Sequence, residues 1–239
     1  MTEHEPCPGR ELTLLAEGHV ELLGRILHST NATFLVQVSC RDDAAWAVYK
    51  PEAGERPLSD FEPGLYRRER AAYLLSERLS WGIVPATVIR EDCPLGSGSL
   101  QWFVDSDVRE HYFTLYADAP ETHRALAQMA LFDYIANNTD RKSGHVLRDP
   151  DGHVWGIDHG LCFSAGFKLR TVIWDFAGDP IPDALLEDIS PLADAVPDGV
   201  AELVDDMEVT ALRHRVQRLL REPVLPVDPT GMRYPWPLV

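Results

Sequence analysis

Apolar and polar positions alternate with the period of a strand over residues 20–27, 32–38 and 44–49. Polar turns at Ser29-Thr30-Asn31 and Arg41-Asp42-Asp43 separate them, which predicts three short strands joined by tight connections. Over 66–81 the period becomes helical: Ala71, Leu74, Leu75 and Leu79 share a face, and Gly82 supplies the stop. Two more strands are predicted at 84–90 and 100–104, around a turn holding Pro94, Gly96 and Gly98. Residues 105–120 are polar and read as a linker. The pattern therefore predicts a β-rich unit over 12–104 and a mainly helical unit over 105–239, an α+β fold in two lobes. The second unit opens with a helix at 121–137 that carries Leu126, Met129, Phe132 and Ile135. It ends with an amphipathic helix at 200–221, with Leu203, Val204, Met207, Leu212, Val216 and Leu219 inward. Residues 1–11 read as a loose leader, and a Pro-rich tail follows Pro223.

The most informative stretch is 131–163, LFDYIANNTDRKSGHVLRDPDGHVWGIDHGLCF. Its helical lead-in breaks at Asn137-Asn138-Thr139-Asp140-Arg141, and two short alternating runs then flank Asp149-Pro150-Asp151-Gly152. Pro and Gly between such runs predict a hairpin, which places Asp140 and Asp158 at its two open ends.

Charge narrows the possible partners. With 22 basic and 38 acidic residues the net charge is −16, which disfavours nucleic acid and stable docking on an anionic membrane. Residues 175–208 hold eleven Asp or Glu and no Lys or Arg, the pattern of a solvated face. The N-terminal residues lack the basic start and apolar core of a signal peptide, and no apolar run is long enough for a membrane span. Cys7, Cys40, Cys93 and Cys162 are widely spaced without a C-x-x-C pair, so reduced thiols and a cytoplasmic setting are expected. Oligomeric state is not legible.

The sequence resembles the phosphatidylinositol 3-/4-kinase-related and HipA-like branch of the protein-kinase-like superfamily, in which the catalytic loop reads D-R and a hydrophobic residue precedes D-x-G. Asp140-Arg141 and Ile157-Asp158-His159-Gly160 carry that likeness. More narrowly, the chain is similar to an actinobacterial family of phosphatidylinositol-kinase-related proteins through NATFLV, VYKP, GERPL, NNTDRKSGHVL and IDHG, over roughly residues 18–178. The resemblance implies ATP with Mg²⁺ or Mn²⁺, and γ-phosphoryl transfer to a hydroxyl of a protein, metabolite or lipid. It implies that Asp140 takes the acceptor proton, with Arg141 or Lys142 steadying it or the γ-phosphate. Asp158 and His145 would hold metal. Lys50 would meet the α/β-phosphates with Glu69 as its ion-pair partner, and Ser29 and Asn31 would line the phosphate turn. Gln101, Trp102, Phe103 and Val104 would form the hinge beside adenine.

Two departures stand out. The phosphate turn lacks G-x-G-x-x-G, and His145 stands where the kinase pattern has Asn, five residues after Asp140. Three alternatives therefore stay open: a pseudokinase or nucleotide-sensing module, AMP transfer on the same fold, and a hydrolase metal centre built from His145, Asp158, His159 and Asp140. No G-x-S-x-G or matching Cys/His context supports a nucleophilic triad. The segment 162–174 reads as an activation or substrate segment, with Lys168 and Arg170 as its cations.

Overall fold

The computed structural model describes residues 9–27, 29 and 31–238. Cys7, most of the leader, Thr30 of the phosphate turn and the terminal Val239 lie outside the described residues. The chain forms two compact units, residues 1–66 with 86–103, and residues 67–85 with 104–239.

The first unit is built on a five-stranded antiparallel sheet of order β1-β2-β3-β5-β4, comprising β1 (His19–Arg25), β2 (Phe34–Cys40), β3 (Asp43–Pro51), β4 (Thr87–Arg90) and β5 (Gly98–Trp102). Helix α1 (Arg10–Glu17), where the sequence led one to expect the end of a loose leader, buries Leu14 and Leu15 on one face of the sheet. That face carries Val20, Val36, Val38, Ala47, Tyr49 and Leu100, all buried. Because side chains alternate along a strand, Trp46, Val48 and Lys50 of β3 point to the other face. The strip opposite them holds Gln37, Leu35, Gln101 and Ser99.

In the second unit, helix α2 (Leu65–Arg78) belongs here from Arg67 onward. Its side chains explain why the boundary is not a single cut near residue 104. Arg68 donates to the Cys162 carbonyl and pairs with Glu208 at 2.8 Å, and Trp81 just beyond the helix donates to Asp188. The expected linker contains helix α3 (Tyr112–Asp118), which buries Tyr112 and Leu115. The Tyr112 hydroxyl donates to Asp175 at 2.6 Å. Helix α4 (His123–Ala136) leads into the hairpin of β6 (Val146–Arg148) and β7 (Val154–Gly156). Helices α5 (Asp183–Ile189) and α6 (Asp198–Ala201) follow. The last helix, α7 (Asp206–Arg221), starts later than the pattern predicts. Asp205 caps it, accepting from the Glu208 N–H at 2.8 Å while Glu208 accepts in return from the Asp205 N–H. Leu212, Val216 and Leu219 are buried as expected, but Met207 is 71% exposed because it sits on the outer side of that first turn. The acidic run is only partly a solvated face, since Asp175, Asp188 and Glu208 are spent on Tyr112, Trp81 and Arg68.

Candidate active site

In the second unit, helix α4 stops because Asn137 takes a left-handed conformation (φ 51°), which Asn tolerates better than most residues. Every residue of the polar run then has an assignment. The Asn137 amide donates to the carbonyls of Ser164 and Gly166 and accepts from the Lys168 N–H, clamping the segment beyond the hairpin. Asn138 donates to Asp133 and accepts from the Asp140 N–H at 3.0 Å. The Thr139 N–H and hydroxyl both reach the Leu161 carbonyl.

Arg141 is completely buried. Its guanidinium donates to both oxygens of Asp133, to the carbonyls of His145 and Ile157, and to His159 Nε2 at 2.7 Å. The side chain therefore ties α4, the loop that follows it and the Asp158-His159-Gly160 turn together. Burial takes it out of reach of a bound phosphate, so the expected catalytic role becomes a positioning one. Gly156 lies directly over it: a Cβ there would come within 3.3 Å of Arg141 Nη2, Ile83 and Met129. From α2, buried Glu69 accepts the N–H groups of His159 (3.0 Å) and Gly160 (3.1 Å), fixing the backbone just after Asp158.

This frame leaves two carboxylates accessible at the open end of the hairpin. Asp140 is 27% exposed and accepts from Lys142 Nζ at 2.9 Å. Burial pushes its carboxyl above the ordinary value of 3.8. The Lys142 hydrogen bond and charge oppose that shift, the charge of Asp158 reinforces it, and Arg170 opposes it weakly. Asp158 is 48% exposed and held at φ 61°. His145 Nε2 lies 3.3 Å from Asp158 Oδ2, and His145 Nδ1 accepts the Lys142 N–H at 3.3 Å. A neutral ring whose Nδ1 accepts carries its proton on Nε2, so His145 faces Asp158 as a donor. The two residues expected to hold metal, His145 and Asp158, thus face one another at the open end of the hairpin. His159 is buried and turned to Arg141. Among the described residues no group of three or more His, Cys, Asp or Glu is placed to hold a metal. The donor chemistry does fit Mg²⁺, which commonly takes one or two carboxylates and completes its shell with substrate phosphates and water. Asp158 is the residue that would hold it.

In the first unit, Lys50 is half-buried on the sheet face that α1 does not cover, opposite Ser99. Ser29 Oγ lies 2.8 Å from Thr33 Oγ1, and the Asn31 carbonyl oxygen accepts the Arg56 N–H. The phosphate turn is thus braced against the GERPL loop, whose Glu55 accepts the N–H groups of Gly64 and Tyr66 at the start of α2. In the hinge segment, Gln101 donates to Thr87, Trp102 N–H to Ala86 and Phe103 N–H to Trp46. Those amides are spent on the sheet. Trp102 also lies under the Arg10 guanidinium, and Phe103 packs edge-on against Trp46. Asp133 and His159 as partners of Arg141 were not singled out by sequence reasoning, though D-x-x-x-N-N-x-D-R was the available signal for Asp133.

Comparison with known proteins bears on this arrangement. The family model described as phosphatidylinositol 3- and 4-kinase matches residues 65–221, a span that includes Glu69, Asp133, Asp140 and Asp158 but not Lys50, Ser29 or Asn31. Protein Rv2133c of Mycobacterium tuberculosis is 40% identical over 280 residues, covering 97% of this chain and 99% of that protein. Among solved structures, the Helicobacter pylori proinflammatory kinase CtkA aligns over 87% of this chain and 93% of its own at 10% identity, with a TM-score of 0.44. The expected α+β kinase-like class holds, and the chain belongs to the phosphatidylinositol 3- and 4-kinase family.

Proposed function

We propose that the protein is an ATP-dependent phosphotransferase that moves the γ-phosphoryl group to a hydroxyl acceptor in the cytoplasm. The observation that carries this reading is the pair of accessible carboxylates, Asp140 and Asp158, held at one end of the hairpin by the buried Arg141 frame. Phosphoryl transfer asks little covalent chemistry of a protein beyond positioning and charge. Asp140 orients the acceptor and takes its proton as the acceptor oxygen bonds to the γ-phosphorus. The bond from that phosphorus to the β,γ-bridging oxygen breaks, and ADP leaves. A raised pKa makes Asp140 a stronger base than an ordinary carboxylate. Bound at Asp158, Mg²⁺ would neutralise charge on the phosphates. Lys142 holds Asp140 in place. Glu69 serves by fixing the turn that carries Asp158.

His145 favours a second reading, a nucleotide-sensing module with little transfer, because an imidazole donor replaces an oxygen ligand beside Asp158. Isothermal titration of ATP with Mg²⁺ against wild type and Asp158→Asn, followed by a turnover assay for ADP, separates the two. Metal-dependent binding that is lost in the variant, with ADP formed by wild type, supports transfer. Binding without ADP supports sensing, and no binding by folded wild type overturns both.

A further inference from the structure

The C-terminal tail is not a loose end. Residues 170–172 form a short extended edge whose amides alternate between two neighbours. Arg170 N–H donates to Asn138 O at 3.0 Å and Val172 N–H to Arg141 O at 3.1 Å, both in the catalytic loop. Thr171 N–H between them points the other way and donates to Arg233 O of the tail at 3.2 Å. The same carbonyl accepts from Trp174 Nε1, and the Arg233 guanidinium lies 4.8 Å over the Phe167 ring. A few residues on, Leu238 O accepts the Ser143 N–H at 2.9 Å, so the tail also bonds the loop that bears Asp140. The tail returns to this place through a turn at Asp228, which accepts from the Thr230 N–H and hydroxyl and from the Arg233 N–H.

These contacts are main-chain bonds of the kind any extended peptide supplies when it adds to an exposed edge. The tail's side chains are unevenly held: Met232 is 78% exposed and Trp236 88%, whereas Pro235 is buried and Arg233 lies over Phe167. A segment held chiefly through its backbone, with Met232 and Trp236 left in solvent, is suited to be exchanged for another of the same shape.

We propose that residues 228–238 are a strap lying in cis on the edge that receives the acceptor, and that the acceptor is an extended polypeptide. This rests on the phosphotransferase reading above and narrows its acceptor to a Ser, Thr or Tyr hydroxyl. The hydroxyl oxygen takes the γ-phosphoryl group, its proton passes to Asp140 and ADP departs. The strap must leave the edge before such a segment binds, so the apparent acceptor affinity is lowered by the fraction of molecules with the strap displaced.

The test compares the full chain, a chain ended after Asp228, and full-chain Asp228→Ala, which loosens the turn without touching the site. Each receives radiolabelled ATP and a degenerate peptide library containing Ser, Thr and Tyr, with ATP binding followed by calorimetry. Both variants should label peptide roughly five- to tenfold faster than the full chain at unchanged ATP affinity. A synthetic peptide of residues 226–238 added in trans should restore the slow rate. If the shortened chain fails to fold, Asp228→Ala and hydrogen exchange at the Thr171 amide carry the test. Variants that bind ATP but label peptide no faster than the full chain overturn the strap and leave the phosphotransferase reading standing. Absence of ATP binding in all three folded proteins overturns that reading, and the strap with it.

Discussion

Arg141 Nη2 and His159 Nε2 lie 2.7 Å apart, both side chains fully buried, and this bond joins the loop that bears Asp140 to the turn that bears Asp158. Arg141 carries a permanent positive charge, so the imidazole nitrogen facing it must be the acceptor. Asp133 neutralises that charge from the other side, at 2.8 Å.

The ion pair is therefore costly to cut from one side only. Arg141→Met strands the Asp133 carboxylate in a buried site, and such losses typically amount to about 3–5 kcal/mol. Urea denaturation of this variant should show that fall in midpoint. Asp133→Asn with Arg141→Met should recover part of it, because no uncompensated charge remains. Equal stability of the single variant and wild type would show that the pair contributes nothing.

His159 is a positioning residue, and its effect should appear in metal dependence rather than in folding alone. His159→Gln offers an amide oxygen as the acceptor for Arg141, whereas His159→Leu offers none. The Leu variant should need several-fold more Mg²⁺ for half-maximal ATP binding, and the Gln variant should lie closer to wild type. Identical Mg²⁺ curves for the two would detach His159 from the placing of Asp158.

Asp140 supplies a stability test with a definite sign. Its carboxyl is raised above 3.8 chiefly by burial, so the folded state holds this proton more tightly than the unfolded chain. Stability from this group is present below the unfolded value and is lost as pH rises through the folded one. Above the folded value the ionised group is a burden on the fold. Asp140→Asn should raise the melting temperature at pH 7, lose that advantage at a pH below the ordinary carboxylate range, and abolish transfer. A variant that melts lower at pH 7 would mean that the Lys142 bond outweighs the burial.

Lys142 acts in the opposite direction on the same group, since its hydrogen bond and charge hold the Asp140 pKa down. Lys142→Met should shift the acid limb of the pH–rate profile to higher pH. The limb would move the other way, or stay, if the base were a different residue.

Much of this was legible in the sequence because the deciding signals are local. The hairpin followed from Asp149 and Gly152 between two alternating runs, and it forms with Val146 paired to Gly156. The two accessible carboxylates follow from the polar run that ends α4. Helix α3 was missed because Asp105, Asp107, Arg109 and Glu110 gave its approach the composition of a linker, although Tyr112, Leu115, Tyr116 and Ala119 keep a helical spacing. The burial of Arg141 was not legible, because an Arg beside a catalytic Asp reads as solvent-facing until Asp133 and His159 are known to surround it. Glu69 likewise shows in sequence only a charge among arginines. Its bonds to the His159 and Gly160 amides join residues some ninety positions apart.

Asp158 dictates how metal binding should be tested. At φ 61° a residue with a Cβ is strained unless its side chain suits the left-handed region, as those of Asn and Asp do. Asp158→Asn should therefore keep the fold and lose metal-dependent ATP binding, whereas Asp158→Ala should also lose stability. Equal melting temperatures for the two would show that the turn bears no strain.

His145→Asn probes the departure from the kinase pattern. The imidazole presents an N–H to Asp158 at 3.3 Å, and an Asn there presents an amide oxygen of the kind Mg²⁺ accepts. If the ring only occupies a ligand position, the variant should bind MgATP several-fold more tightly and turn it over at least as fast. Wild type should then show no preference for Mn²⁺ over Mg²⁺, because the ring is held to Asp158 rather than to the metal. A marked Mn²⁺ preference in wild type would reverse the tautomer and put His145 in the metal shell. A collapse of turnover in His145→Asn with MgATP binding intact would instead make the imidazole a donor to the transferring phosphate.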